Sequence, residues 1–400
     1  MPSPTTKGVA AAMTVLLLVM FINSMSYGVL IPLLYPYASR FNLSPIEMSL
    51  LFASFSFFQF FATPIIGRLS DRFGRKPLLI SCLIGSGVSL ALFASAQTAL
   101  VLFLSRIVDG ITGGNNSVAS AIAADISKPA DRAKTFGMLG AAQGMGFVVG
   151  PALGGMLSQL GLTAPFWIAS GLALASAVAG LIWLPETLRA SVERVAQKES
   201  FFSVSKLVSA LKLPVVGPLL VLSLLVSLAH NVFVLGFQAY TVDTLKLSTT
   251  QIGIIFTLIG VAIAFMQAGG IKKLQTIIET DKQIIMGALG LLTLVMLPTG
   301  LVSSLVLFIV LSITYALCFS PLFPLFSSQI STHSREEDQG GIMGIQQATF
   351  SLGQIIGPII AGLAIAQSTS LVFVLASALF GIALWRTFLL PAVSRKKIDL

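Results

Sequence analysis

Residues Gly137 to Gly155 read GMLGAAQGMGFVVGPALGG, seven glycines and one proline in nineteen residues with no charged side chain. Three structures share such a composition: a phosphate-cradling loop, a flexible linker, or a membrane helix packed tightly against a neighbour. A phosphate loop follows a strand and carries a GK[ST] or GxGxxG pattern; the spacing Gly144, Gly146, Gly150 fits neither. A linker would be polar or charged, whereas apolar sequence flanks this stretch on both sides. Gly146, Gly150 and Gly154 recur every four residues. They share one helix face, where small residues let two membrane helices approach closely. Pro151 offers no N–H to the Phe147 carbonyl, which predicts a kink there. Two readings of the helix stay open: generic close packing, or a kinked helix at a moving interface between two halves of the molecule.

The rest of the chain makes a membrane setting necessary. Of its 400 residues 55% are hydrophobic and 10% charged, against roughly 25% charged in soluble domains. So few polar residues cannot cover the surface of a water-soluble fold of this size. A membrane span needs about 20 apolar residues. Twelve such segments are predicted, near 9–33, 46–66, 77–96, 99–123, 136–158, 163–184, 215–240, 249–269, 283–300, 303–328, 341–366 and 369–385. A cleaved signal peptide is the alternative for the first, but GVLIPLLYPYASRF follows it in place of a small-residue cleavage site. With twelve spans the termini and five loops share one side. That side carries 21 of the 24 Lys and Arg residues; Arg40 and Lys246 lie opposite and Arg106 lies within a span. The basic side is expected to be cytoplasmic, which places both termini in the cytoplasm and the protein in the cell's inner membrane. The net charge of +9 is then a topology signal. Nucleic-acid binding is not expected, because the basic residues are scattered over short loops. Cys82 and Cys318 fall in separate spans, and His230 and His333 are far apart, so neither a disulfide framework nor a metal site is expected.

The longest polar stretch runs from Glu186 to Leu213 and divides the spans six and six. Leu-Pro-Glu-Thr at 184–187 stops the sixth helix; beyond it, FFSVSKLVSAL suits a surface helix as well as a solvated linker. The expected organisation is an N-terminal bundle at 1–185, a linker at 186–213 and a C-terminal bundle at 214–400. The glycine stretch supports it. Shifted by 207 residues, Gly137, Gly146, Gly150, Pro151 and Gly155 fall on Gly344, Gly353, Gly357, Pro358 and Gly362, and Asp131 falls on Asp338. Gly154 falls on Ala361. Coincidences at one offset, in the fifth span of each half, indicate a tandem repeat of six helices. Parallel halves with a site near the midplane are a transporter architecture.

The loop after the second span reads GRLSDRFGRKP, residues 67–77. Gly67 and Gly74 permit a tight turn, Arg72, Arg75 and Lys76 hold the loop on the basic side, and Asp71 is free to pair with a base or a helix N-terminus. The pattern resembles the signature loop of the major facilitator superfamily, Gly-x-Leu-Ala-Asp-Arg-x-Gly-Arg-Lys, with Ser70 the departure. In the fourth span, LFLSRIVDGITGG resembles that family's second motif, with Arg106 and Gly110 at its Arg and Gly and Asp109 where Gln is usual. Gly137, Gly146, Gly150, Pro151, Gly154 and Gly155 satisfy the third motif, which the family's efflux antiporters carry. Across these stretches the chain is similar to tetracycline-type drug-efflux pumps. Those pumps carry an acid in the first span and another in the third, where this chain has Asn23 and Ser89. The resemblance therefore does not carry over tetracycline or that proton route. It implies an all-α membrane protein of twelve helices in two parallel repeats, working as a drug:proton antiporter and not as an enzyme.

Membrane energetics single out few residues. A charge at the bilayer centre costs at least about 2.5–3.5 kcal/mol, and the predicted spans hold one clear base, Arg106, and one clear acid, Asp109. Three residues apart, they share a helix face and can pair, either as a structural ion pair or as a switchable proton site. His230 lies deep in the seventh span and the 207 offset places it on Asn23; it is a third candidate for carrying a proton, or a hydrogen-bonded structural residue. Asn23, Tyr27, Gln59, Asn116, Gln143, Asn231 and Gln238 are candidates for lining a substrate cavity, with Asn115 a further amide in the fourth span. The expected function is export of a drug-like or amphipathic solute by alternating access, driven by the proton gradient with no bound cofactor, by a monomer whose partners are its small-molecule substrate, protons and lipid. An uptake symporter or uniporter on the same fold is the alternative.

Overall fold

A computed structural model describes residues 6–127, 131–188, 204–334 and 339–389. Among them there is no strand. The α-helices in chain order are α1 (Thr6–Leu30), α2 (Leu34–Ala38), α3 (Pro45–Phe73), α4 (Arg75–Ala94), α5 (Ala99–Thr112), α6 (Asn115–Ile126), α7 (Arg132–Leu157), α8 (Ala164–Trp183), α9 (Val204–Leu211), α10 (Val216–Ala239), α11 (Thr249–Phe265), α12 (Ile271–Ile277), α13 (Asp281–Thr299), α14 (Leu305–Phe319), α15 (Leu322–Thr332), α16 (Gln339–Ile365) and α17 (Leu371–Phe388). Eleven helical segments among the described residues are long and apolar enough to cross a bilayer. The expected fourth span is the exception. It is built of α5 and α6, broken at Gly113–Gly114, and it carries Arg106, Asp109, Asn115 and Asn116. Of the linker, α9 falls within the surface-helix alternative, while residues 189–203 lie outside the described residues.

The break at Gly113–Gly114 has a local cause and a local compensation. A Cβ on Gly113 would lie 2.7 Å from the Gln59 Nε2, and one on Gly114 would lie 2.7 Å from the Ile66 side chain, so only glycine lets α3 come this close. The Gln59 amide donates to the Gly113 carbonyl at 3.0 Å, and the Asn115 side chain accepts from the Asn116 N–H at 2.8 Å. Backbone groups freed inside a membrane must be satisfied by the protein, and these two amides do it. The interruption between α14 and α15 falls at Ser320–Pro321. That is 207 residues after Gly113–Gly114, so the repeat extends to where the helices break.

The chain forms two compact units. The first gathers α1 to Leu43, Ser54 through α8, and Ser248–Thr257. The second gathers Ser44–Ala53, α9 to Leu247, and Leu258 through α17. Each unit thus takes in one end of a helix whose remainder belongs to the other.

Within the first unit α1 packs along α7, α8 and α6, and Leu16, Val19 and Met20 are fully buried in a core with Leu79, Leu83, Val118 and Ile122. The glycine stretch is one continuous helix through Pro151. Its stripe faces α1: a Cβ on Gly146 would lie 2.6 Å from the Phe21 carbonyl oxygen, one on Gly150 would lie 2.7 Å from the Gly28 Cα, and one on Gly154 would lie 2.7 Å from the Val29 carbonyl oxygen. The expectation of a stripe at a moving interface between the halves is corrected for these three. They join two helices of one unit, because a backbone-to-backbone approach needs a neighbour that stays in register. Gly155 lies on a different face and meets Gly253, 3.1 Å from its Cα, with Thr249 and Thr250 beside it.

The second unit repeats the arrangement. Gly353 and Gly357 of α16 lie against Ser227, Leu228 and Asn231 of α10, and Gly362 meets Ser49 and the Pro45 carbonyl. Among the membrane-length helices of the described residues, Ala11–Phe41 and Val216–Thr244 are the most buried. Two π-helical turns, Tyr240–Thr244 and Met266–Gly270, extend α10 and interrupt the segment from α11 to α12.

Candidate substrate and proton site

In the first unit α5 carries Arg106 and Asp109 on its buried side, 1% and 5% exposed. The Asp109 Oδ2 stands 3.0 Å from the Arg106 Nη2. The pair balances its charge within the unit, and the Arg106 Nε has no hydrogen-bond partner among the described residues. Ser89 and Ser86 of α4 lie beside Asp109, and the Ser89 hydroxyl donates to the Ser86 carbonyl at 2.9 Å. The guanidinium lies over two rings, Phe93 at 5.3 Å and Phe55 at 5.7 Å. Tyr27 packs on Phe55 at 5.5 Å and lies edge-on to Phe147 at 5.9 Å. Phe93 is fully buried, Phe55 and Tyr27 are half-buried, and Phe147 is exposed. This ring series runs from the core of the unit to its surface.

Ser86 and Ser89 carry no motif of their own and were not among the residues expected to form the site. The sequence signal is weak, a Ser-x-x-Ser spacing that puts two hydroxyls on one face of α4. Asn23 is buried at 9% exposure. Gln59 serves the broken helix. Gln143 is half-buried and donates to the exposed Asn116 at 3.4 Å.

The second unit presents an aromatic array. His230 Nδ1 hydrogen-bonds the Tyr315 hydroxyl, and the imidazole stacks on Phe319 with centroids 4.2 Å apart. Tyr315 lies tilted against Phe233, with centroids 3.9 Å apart. His230 is half-buried. Asn231 spends its amide on the Ser227 carbonyl at 2.9 Å. Gln238 is 1% exposed, which corrects its assignment to a cavity wall: a side chain with no free surface lines nothing.

At the signature loop, α3 ends at Phe73 and Gly74 takes φ +111°, a conformation that favours glycine. Arg75 is the hub. It pairs with Asp71 at 2.6 Å and with Asp125 at 3.2 Å, and donates to the Ser70 hydroxyl at 2.7 Å. Glu186 accepts from the Arg75 and Lys76 backbone N–H groups at 3.0 and 3.2 Å, capping α4. Arg72 lies over the Phe73 ring, and Gly67 packs on Ser117. Ser70, the departure from the pattern, is thus a partner of the central arginine. Asp125 and Glu186 were not expected in this cluster because they lie 50 and 111 residues from Arg75.

Comparison with known proteins gives a consistent result. The sequence profile described as Major Facilitator Superfamily matches residues 16–277 and 277–399. The class C tetracycline resistance protein of Escherichia coli is 30% identical over 324 residues, 80% of each chain. Multidrug resistance protein 2 of Bacillus subtilis (strain 168) is 27% identical over 353 residues, 87% of each chain. Among solved structures, a bacterial homologue of the human lysosomal transporter Spinster superposes with a TM-score of 0.80 at 16% identity, covering 96% of this chain and 97% of that one.

Proposed function

Because the chain belongs to the major facilitator superfamily, a multi-pass membrane transporter and not an enzyme, we propose that it exports a drug-like or amphipathic organic solute by alternating access, coupled to proton entry. The relatives named for tetracycline and multidrug resistance support export and the drug-like solute. One observation carries the coupling: a buried acid, Asp109, beside a buried base whose hydrogen bonds are incomplete. Ser89 occupies the third-span place of the pumps' acid, and Asp109 of the fourth span is the buried acid this chain offers in its stead. Arg106 and Asp109 in the first unit and His230 in the second are the proton-coupling residues of this reading. Half-buried Tyr27 and Gln143, with exposed Asn116, are the polar groups offered to the solute. Proton entry across about 150 mV releases roughly 3.5 kcal/mol per proton, enough for a gradient of several hundredfold. The protein acts as a monomer in the inner membrane with both termini cytoplasmic.

The test is accumulation of fluorescent drugs in inverted vesicles holding the full chain. Acidifying the vesicle interior is expected to drive uptake, with Asp109→Asn and His230→Ala each lowering it about a hundredfold or more, the usual scale for a positioned proton carrier. Absence of proton-driven accumulation for every solute tested would reject export; unchanged flux in both variants would reject these carriers.

A further inference from the structure

We propose that α9 is an interfacial helix whose apolar side lies in the headgroup boundary of the cytoplasmic leaflet, with Lys206 and Lys212 binding anionic phospholipid headgroups there. In the sequence of α9, Val204, Leu207, Val208 and Leu211 recur at the spacing that gathers residues on one side of a helix, and Ser205, Lys206 and Ser209 fall between them. The protein itself covers a different side. Ala210 is buried, at 4% exposure, whereas Val208 and Leu211 are 44% and 41% exposed, and Leu213, just beyond the helix, is 40% exposed. The side that packs on the unit is thus not the apolar side. An apolar stripe turned away from the core is the pattern of a helix that meets lipid.

The place where α9 is held identifies the occupant. It joins membrane-length α10 with no slack. The Lys212 N–H donates to the Ser209 carbonyl at 3.2 Å, the Leu213 N–H to the Ala210 carbonyl at 3.2 Å, and the Gly217 N–H to the Leu213 carbonyl at 3.0 Å. A Cβ on Gly217 would collide with the Leu211 carbonyl oxygen, so glycine lets the last turn of α9 rest on the first turn of α10. The apolar segment that can cross the bilayer begins at Val216. Leu211 is therefore fixed at the height where acyl chains give way to headgroups. Residues 204–213 hold two lysines and no acid, which complements the anionic surface of a cytoplasmic leaflet. A helix of 8 residues is too short to hold a membrane alone, but its covalent link to α10 keeps it beside the leaflet at high effective concentration. A solvated linker would leave Val208 and Leu211 in water. A protein partner would shield them from water and lipid alike.

Nitroxide labels distinguish the three environments. Val208→Cys, Ser209→Cys and Leu211→Cys are introduced one at a time in the full-length Cys318→Ser protein, with buried Cys82 left in place. Each is placed in nanodiscs of phosphatidylcholine and phosphatidylglycerol. Collisions are measured with oxygen, which concentrates in lipid, and with a nickel chelate, which stays in water. Labels at 208 and 211 are expected to favour oxygen, and the label at 209 the chelate. Omitting phosphatidylglycerol, or making Lys206→Gln/Lys212→Gln, is expected to lower the ratio of immersed to withdrawn label at 208 at least about fivefold, the scale of one lysine at an anionic surface. Chelate preference at all three positions would assign a solvated linker and overturn the proposal. Protection of 208 and 211 from both reagents would assign a protein partner and overturn it equally. Immersion indifferent both to phosphatidylglycerol and to the lysines would reject the headgroup assignment. Solute flux enters none of these measurements, so their outcome is independent of the export reading.

Discussion

The carboxylate of Glu186 holds the first turn of the helix that begins at Arg75, and Gly74 is what leaves room for it. A Cβ on Gly74 would lie 2.5 Å from the Glu186 Oε2, in a backbone conformation of φ +111° that side-chain-bearing residues rarely adopt. Two residues 112 positions apart by number therefore share one constraint. Gly74→Ala is expected to destabilise the protein by about 1–3 kcal/mol, and Glu186→Ala by about 1–2 kcal/mol through loss of the cap. The double variant is expected to cost at least about 0.5 kcal/mol less than the sum, because the alanine at 74 already displaces the carboxylate. Thermal melting of the four proteins in detergent measures this; strict additivity would disprove the shared constraint.

The glycines of α7 divide by what lies opposite them. Gly150 faces the Gly28 backbone, whereas Gly137, Gly140 and Gly144 face open space. Gly150→Val is expected to cost about 3 kcal/mol or more by forcing α1 and α7 apart. Gly144→Ala, at a helical position with nothing to strike, is expected to be neutral or to stabilise by about 0.5–1 kcal/mol. Melting temperature and the yield of folded protein separate the two classes. Equal costs would show that the stripe is not a packing face.

Gly85 of α4 lies against the Thr112 side chain, where a Cβ would come within 2.2 Å of the Thr112 methyl and would meet only side-chain atoms nearby. The clash is thus removable. Gly85→Ala is expected to cost about 1–3 kcal/mol, and adding Thr112→Ala is expected to recover most of it. If the second change fails to restore the melting temperature, α4 and α5 do not pack in this register.

Ser158 and Thr249 hydroxyls are 2.6 Å apart, and the Thr250 hydroxyl donates to the Gly155 carbonyl at 3.0 Å nearby. Cysteines at 158 and 249 are close enough for a disulfide, whose sulfurs stand about 2.05 Å apart. Mild oxidant is expected to cross-link Ser158→Cys/Thr249→Cys nearly completely, read as a non-reducing gel shift after cleavage of the linker. Cys82 is buried; Cys318 is half-buried, so the pair is introduced in a Cys318→Ser background. Failure to cross-link under mild oxidant would show that Ser158 and Thr249 do not meet.

Much of this molecule is legible in its sequence because the bilayer leaves little choice. Apolar length dictates where the chain crosses, basic residues dictate which loops stay on one side, and the 207-residue echo of Gly146, Gly150, Pro151 and Gly155 reveals the six-helix repeat. The isolated charges Arg106 and Asp109 stand out because a charge in lipid is costly wherever it occurs. The tertiary structure decided matters of partnership. It placed the glycine stripe against α1 and not at an interface between halves, gave Gln59 to the broken fourth span, buried Gln238, and brought Asp125 and Glu186 to Arg75. It also set the Arg106 guanidinium 3.0 Å from Asp109 and against the rings of Phe55 and Phe93. Burial cost is a property of a residue and its solvent, and composition and order express it; a hydrogen bond is a property of two atoms' positions and directions, which exist only once the helices have packed.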